Sequence, residues 1–147
     1  MSDTDKGPDG RSTRWDRHRD SRRAELVVAA VKAIDEYGTD ASVAEIAESA
    51  GVSKPVLYRY FTDKDDLNRA VGDWMAHQVL DLLVPILIDD AGVRDKIFRG
   101  ADAYLRFVGD HPHAFMLMVE QRLTADPNIS GKDEIAAAFT RVLGATL

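Results

Sequence analysis

The stretch from Gly51 to Leu67, GVSKPVLYRYFTDKDDL, permits very few local structures. It reads as a tight turn, a very short helix, a second turn and the start of a long helix. Ser53 is placed to cap the short helix, its hydroxyl accepting from an unpaired amide of the first turn. Pro55 falls inside that first turn, where a missing N–H costs nothing. Leu57 and Phe61, four apart, then share an inward face while Lys54, Tyr58 and Arg59 stay outside. That outer face is cationic and aromatic, which suits phosphates and base edges.

The residues before Gly51 supply a partner helix. Ser42-Val43-Ala44-Glu45 is a capping box, opening a helix with Val43, Ile46, Ala47 and Ala50 on one face. Gly51 stands where a helix needs a left-handed residue just past its end. Two short helices joined by a glycine-containing turn form the unit whose second helix enters the DNA major groove. An ordinary helical hairpin with a solvated polar face has the same spacing, so spacing alone leaves both readings open.

The run from about Arg22 to Leu67 resembles the N-terminal DNA-binding domain of TetR-type transcriptional regulators. The matching pieces are Tyr37-Gly38, Ser42-Val43-Ala44-Glu45-Ile46-Ala47, Ala50-Gly51-Val52-Ser53, Leu57-Tyr58-Arg59-Tyr60-Phe61 and Asp63-Lys64-Asp65-Asp66-Leu67. They occur in order over roughly a third of the chain. The resemblance implies that Lys54, Pro55, Val56 and Arg59 meet base edges. Ser42, Tyr58, Tyr60 and Lys64 would hold phosphates, with Ser53 joining this DNA-facing set. Ala44 stands where a basic residue is frequent in the family, so one contact is absent. The resemblance further implies a homodimer on double-stranded operator DNA, acting as a repressor that a small-molecule effector releases. An effector pocket would lie in the C-terminal core, with Trp74, Tyr104, Phe107, Phe115, Met116 and Met118 as candidate lining. Aromatic and Met side chains at helical spacing are also ordinary core, and the residues leave that alternative open.

A net charge of -6 is unusual for a DNA-binding chain until its distribution is counted. Residues 62–147 hold 9 basic and 14 acidic side chains, residues 1–61 hold 10 and 11, and Lys6 to Arg23 alone holds 7 and 3. The acid load therefore sits on the C-terminal half, as expected for a bipartite protein whose basic end meets nucleic acid. Hydrophobic content of 45% suffices for a packed interior. No apolar run approaches the roughly 20 residues of a membrane span, and the N-terminus is polar and charged, with no secretory signal. With no cysteine there is neither a disulfide framework nor a thiolate metal site. The expectation is a cytoplasmic protein without a membrane partner.

Residues 1–20 lack apolar periodicity and read as a disordered basic arm. Arg11, Arg14, Arg17, Arg19, Arg22 and Arg23 are candidates to track the DNA backbone or a minor groove. Trp15 receives no role. Residues 21–67 form the helix-turn-helix domain, its first helix spanning 22–37 with Val27, Ala30, Val31 and Ile34 inward and Gly38 as its end. Residues 68–147 form a helical regulatory domain. A long helix from about Asp63 to Val84 enters it, capped by Thr62 or Asp63, with Leu67, Val71, Trp74, Met75, Gln78, Val79 and Leu82 inward. Pro85 is expected to end or kink it. A further helix is expected over Val93–Val108, with Val93, Ile97, Ala101, Tyr104, Leu105 and Val108 on its inner face. Another follows from about His113 to Leu123. After a turn from Ala125 to Gly131, a last helix begins near Asp133. Its apolar face of Ala136, Phe139, Val142 and Leu143 is still open at Leu147. The resemblance implies two more helices there, forming a four-helix dimer interface, so the regulatory domain reads as incomplete at that end. No segment alternates apolar and polar residues as a strand would, and the expectation is all-α with about seven helices.

Nothing in the sequence calls for catalysis, a metal or another cofactor. His111 and His113, two apart, point to different sides of a helix. The carboxylates of Asp63, Asp65 and Asp66 fall in a helical first turn, where the dipole favours them. Phosphate loops and nucleophile elbows are missing. The expectation is a non-enzyme, and the alternative of another class is a helical interaction module with this fold but no operator or ligand.

Overall fold

The computed structural model describes residues 10–124, with side chains from 14 to 121. Among the described residues there are six helices and no strand: α1 (Gly10–Tyr37), α2 (Val43–Ser49), α3 (Lys54–Leu57), α4 (Lys64–Ile88), α5 (Val93–Asp110) and α6 (Pro112–Thr124). The all-α expectation holds. Residues 1–9 of the expected arm lie outside the described residues. So do the turn at 125–131, the helix near Asp133 and the face of Ala136, Phe139, Val142 and Leu143.

α1 packs against α2, α4 and α6, while α4 packs on α5 and α6. Leu26, Val27, Ala30, Val31 and Ile34 of α1 are buried together with Ile46 and Ala47 of α2. Leu57 and Phe61 join them from the α3 segment, and Leu67, Val71 and Met75 from α4. Ala114 and Leu117 of α6 belong to the same cluster, so the core runs without a gap from the helix-turn-helix into the C-terminal helices. Burial of this kind contributes about 25 cal/mol per Å² of apolar surface.

The turns follow the residues expected to make them. Gly51 has φ 65, and the Gly51 and Val52 amides donate to the carbonyls of Glu48 and Ala47, closing α2 in a Schellman motif. Gly38 ends α1 with φ 99. Asp63 caps α4 by accepting the Asp66 N–H at 2.7 Å, and Asp66 accepts the Thr62 N–H at 2.9 Å. The acidic cluster therefore serves helix capping. Ser53 differs from expectation: it is the N-cap residue of α3, but its hydroxyl makes no cap bond.

Four further expectations are corrected. α1 begins at Gly10 rather than near Arg22, so residues 10–20 are helix and not a disordered arm. Once the apolar turns from Leu26 onward are anchored, each added residue needs only helix propagation, without a new nucleus.

Pro85 lies inside α4, which continues to Ile88. The hydrogen bond that Pro85 cannot make would have gone to Asp81, and both residues are exposed, so water satisfies the freed carbonyl. The end of α4 is then held by the Lys96 ammonium, 2.9 Å from the Leu87 carbonyl. Asp89 follows, accepting the Ala91 amide and pairing with Arg99. Arg99 and then the Ala91 N–H hold the Asp89 carboxyl below its ordinary range.

α4 is also long and apolar enough, by length and composition, to cross a membrane, contrary to the reading that no such run exists. Its first half is a core helix, with Leu67, Val71 and Met75 no more than 1% exposed.

On α5, Val93, Ile97 and Leu105 are 72%, 64% and 67% exposed and Ala101 is exposed too, so these four of the expected inner stripe point outward, while Tyr104 and Val108 are half-buried as expected. Beside them α5 turns Gly100, Ala103 and Phe107 inward. A Cβ at Gly100 would lie 3.9 Å from Leu83, an ordinary contact distance, so this side of α5 faces α4.

Leu57→Ala should cost about 2–5 kcal/mol in urea unfolding, whereas Ile97→Ala should stay within about 0.5 kcal/mol of the parent. Equal losses at both sites would contradict this packing.

Candidate nucleic-acid interface

α3 has only four residues, Lys54–Leu57, and its Leu57 points into the core at 1% exposure. Phe61 follows at 2%. With those two fixed inward, Ser53, Lys54, Pro55, Tyr58 and Arg59 are exposed, and Val56 and Tyr60 are half-buried. Tyr58 is 47% exposed, so its phenol stands in solvent beside Lys54 and Arg59 rather than in the core. The residues expected to face DNA therefore share the surface opposite the buried pair.

Ser42 and Lys64 flank this surface from the starts of α2 and α4. The Glu45 carboxylate accepts from the Ser42 amide at 2.7 Å and its hydroxyl at 2.8 Å, and the Glu45 N–H donates to the Ser42 hydroxyl at 3.2 Å. The capping box is complete. The Ser42 amide, then the Ser42 hydroxyl, hold the Glu45 carboxyl below its ordinary value, and the Lys64 ammonium adds to the effect. Ser42, Glu45 and Lys64 thus form one patch. The Ser42 hydroxyl is engaged within it, and the Lys64 charge is partly offset by a carboxylate.

The arginines before Val27, read from sequence as one DNA-tracking set, divide into separate roles. Arg19 donates to the Arg59 carbonyl at 3.3 Å and Arg23 to the Tyr60 carbonyl at 3.4 Å. Arg23 also lies over the Phe61 ring, 4.7 Å from its centroid, and 3.8 Å from the Asp66 carboxylate. Both guanidiniums brace the carbonyl end of the α3 turn, where cations are favoured. Arg22 pairs with Glu25 at 2.6 Å. Arg14 is exposed, and so is Trp15 at 73%. The Arg11 side chain lies outside the described ones. The bracing role of Arg19 was missed because a stretch without apolar periodicity gives no sign that it is helical, and that of Arg23 because its partner lies 37 residues away.

The six candidate effector contacts separate as well. Trp74 stands edge-on to His111 with centroids 6.1 Å apart, and Phe107 is tilted against the same ring at 5.2 Å. Tyr104 meets Phe115 edge-on at 6.0 Å. Phe115 and Met118 pack on the core, and Met116 is 51% exposed. An open cavity of about 310 Å³ lies between α1 and α4, lined by Asp20, Arg23, Ala24, Val27, Ala70 and Trp74. Of the six, Trp74 lines it; the other five do not.

His111 and His113 converge on α1. The Nδ1 atoms of His111 and His113 lie 2.7 Å from the Asp35 carboxylate and 2.9 Å from the Asp35 carbonyl. Among the described residues no group of three or more His, Asp or Glu side chains is arranged to hold a metal ion.

Residues 26–71 match the family model for bacterial regulatory proteins of the tetR family. An uncharacterized HTH-type transcriptional regulator of Mycobacterium tuberculosis H37Rv is 54% identical over 143 residues, covering 92% of this chain and 58% of that protein. The HTH-type transcriptional activator FasR of Mycolicibacterium smegmatis is 29% identical, over 90% of this chain and 61% of its own length. The chain thus spans about three-fifths of these relatives. Among solved structures, a TetR family transcription regulator from Marinobacter aquaeolei VT8 superposes with a TM-score of 0.67 at 25% identity. The match covers 88% of this chain and 69% of that one. A TetR-like regulator from Rhodococcus sp. RHA1 gives 0.58 at 30% identity, over 68% and 55%. Over residues 26–71 the chain thus matches the tetR family of bacterial regulatory proteins, and its helices superpose on those of solved TetR-type regulators.

Proposed function

We propose that this chain is a cytoplasmic transcriptional regulator that binds a double-stranded operator through the outer face of α3. The observation that carries this reading is the exposed Lys54, Tyr58 and Arg59 surface, held rigid by Leu57 and Phe61 buried behind it. Arg59 and Lys54, with Pro55 and Val56, read base edges; Arg offers a fork that pairs two acceptors on guanine. Tyr58, Tyr60, Lys64, Ser42 and Ser53 hold phosphates, which fix register without reading sequence. Ser42 contributes only by sharing a hydroxyl already bonded to Glu45. Exposed Arg14 extends the cationic surface along α1.

Selection from a randomised duplex library should enrich one site. On that site Arg59→Ala should cost about 1–3 kcal/mol and relax preference at one base pair, and Lys64→Ala should weaken all sequences alike and reduce the salt slope by about 1. Competition binding at several salt concentrations checks both. No enriched site would favour a helical interaction module instead.

Helix-turn-helix proteins read two half-sites about one DNA turn apart, which takes two copies. The exposed apolar surface of Val93, Ile97, Phe98 and Leu105 is of the kind that associates. Analytical ultracentrifugation should show a dimer on a palindromic site. A monomer binding that site tightly would refute it.

The regulatory cycle is that of a repressor released by a small-molecule effector, for which the cavity beside Trp74 is the candidate site. Support comes from Trp74, the one of the six candidate residues that lines this cavity. An effector changes operator affinity only by its differential affinity for the two arrangements. A compound that raises the melting temperature should therefore lower operator affinity. One relative is named an activator, which favours a second reading in which the bound protein promotes transcription. An operator-driven reporter with and without the regulator separates the two signs.

A further inference from the structure

We propose that Asp35 is the positioning residue through which the C-terminal helices set the operator affinity of α3. The proposal rests on the DNA-binding reading above. α6 begins at Pro112, directly after His111 has closed α5, and has no Ser, Thr or Asp of its own at its start. The buried Ala114 amide in its first turn still needs an acceptor. Asp35 of α1 supplies it, with a carboxylate oxygen 3.0 Å away. The other carboxylate oxygen meets His111 Nδ1 at 2.7 Å, and the Asp35 carbonyl meets His113 Nδ1 at 2.9 Å. Three groups of the α5–α6 corner therefore converge on one residue of another helix.

For α1 itself Asp35 is badly placed. A carboxylate in the last turn of a helix opposes the dipole, whereas one at a helix start is favoured by it. The residue makes electrostatic sense only in its contact with α6. At its other end α1 holds the carbonyls of Arg59 and Tyr60 through Arg19 and Arg23. The span from Arg23 to Asp35 is about 18 Å at 1.5 Å per residue, short enough for one helix to act as a stiff rod. A displacement of α6 then reaches α3 through α1. The Asp35 bonds are directional, and separation leaves a buried amide and a half-buried carboxylate unpaired. They are thus either made or broken, as a two-state coupling element requires.

The test takes the duplex that the intact chain enriches from a random library, and measures its Kd per active molecule. Asp35→Ala and His111→Ala should each weaken binding by about tenfold, within the range of ordinary allosteric couplings. The double variant should be no weaker than Asp35→Ala alone, because both remove one interaction. Asp35→Asn keeps an acceptor for Ala114 and should recover part of the loss. Hydrogen exchange without DNA supplies a second readout. The amides of Tyr58 to Phe61 should exchange faster in Asp35→Asn and His111→Ala, while those around Asp89 stay at the parental rate. A role confined to stability would lower the melting temperature but leave both the Kd of active molecules and exchange at Tyr58 to Phe61 unchanged, and that result overturns the proposal. Simple addition in the double variant does so too. Should Asp35→Ala fail to fold, Asp35→Asn and His111→Ala decide. If the intact chain enriches no duplex, the DNA-binding reading fails on its own. The exchange experiment still tests the coupling.

Discussion

A helix of four residues cannot hold itself together in water. Isolated helices shorter than about 12 residues are marginal, because nucleation costs more than so few hydrogen bonds return. α3 exists because Leu57 and Phe61 are buried at 1% and 2% exposure among α1, α2 and α4. The turn on either side is fixed independently, by Gly51 at positive φ and by Asp63 capping α4. Everything that faces DNA in this reading inherits its position from that buried pair. The reading surface is thus only as rigid as the core behind it, and the core is shared with α6 through Ala114 and Leu117. The residue boundary between the two expected domains does not coincide with a gap in packing.

Features whose cause is local were legible in the sequence. Ser42 and Glu45 bond each other across three residues, so their pattern carries the capping box directly. Gly51 must be left-handed to close a Schellman motif, and Gly suits that conformation. The Leu57 and Phe61 spacing gave the inward face, and with it the outward residues from Lys54 to Arg59. Features decided by a distant partner were not legible. α5 is apolar on more than one side, and periodicity alone cannot say that Gly100 and Ala103, rather than Ile97 and Leu105, approach α4. Pro85 reads as a breaker unless one knows that its missing bond falls on the solvent side and that Lys96 holds the helix end. Arg19, Arg23 and Asp35 reach partners 40, 37 and 76 or more residues away. No local pattern announces such contacts.

The helix ends also explain how an acidic chain can present itself to DNA. The starts of α2 and α4 are filled by the protein's own carboxylates, Glu45 on Ser42 and Asp63 on Asp66. A phosphate held there by Ser42 or Lys64 sits beside a like charge, which offsets part of what the dipole gives. α3 is different: Ser53 makes no cap bond, and no acidic residue lies in its first turn. Its far end is quieted by Arg19 and Arg23, which place cations on carbonyls that would otherwise repel a phosphate. With a net charge of -6, long-range attraction to DNA is weak, and screening at physiological salt confines what remains to about 8 Å. In the proposed reading, binding then depends on contacts made after docking, by Lys54, Tyr58 and Arg59 at close range. In that reading Lys54 and Arg59 carry discrimination together with part of the affinity, whereas Tyr58 and Lys64 add affinity without sequence preference.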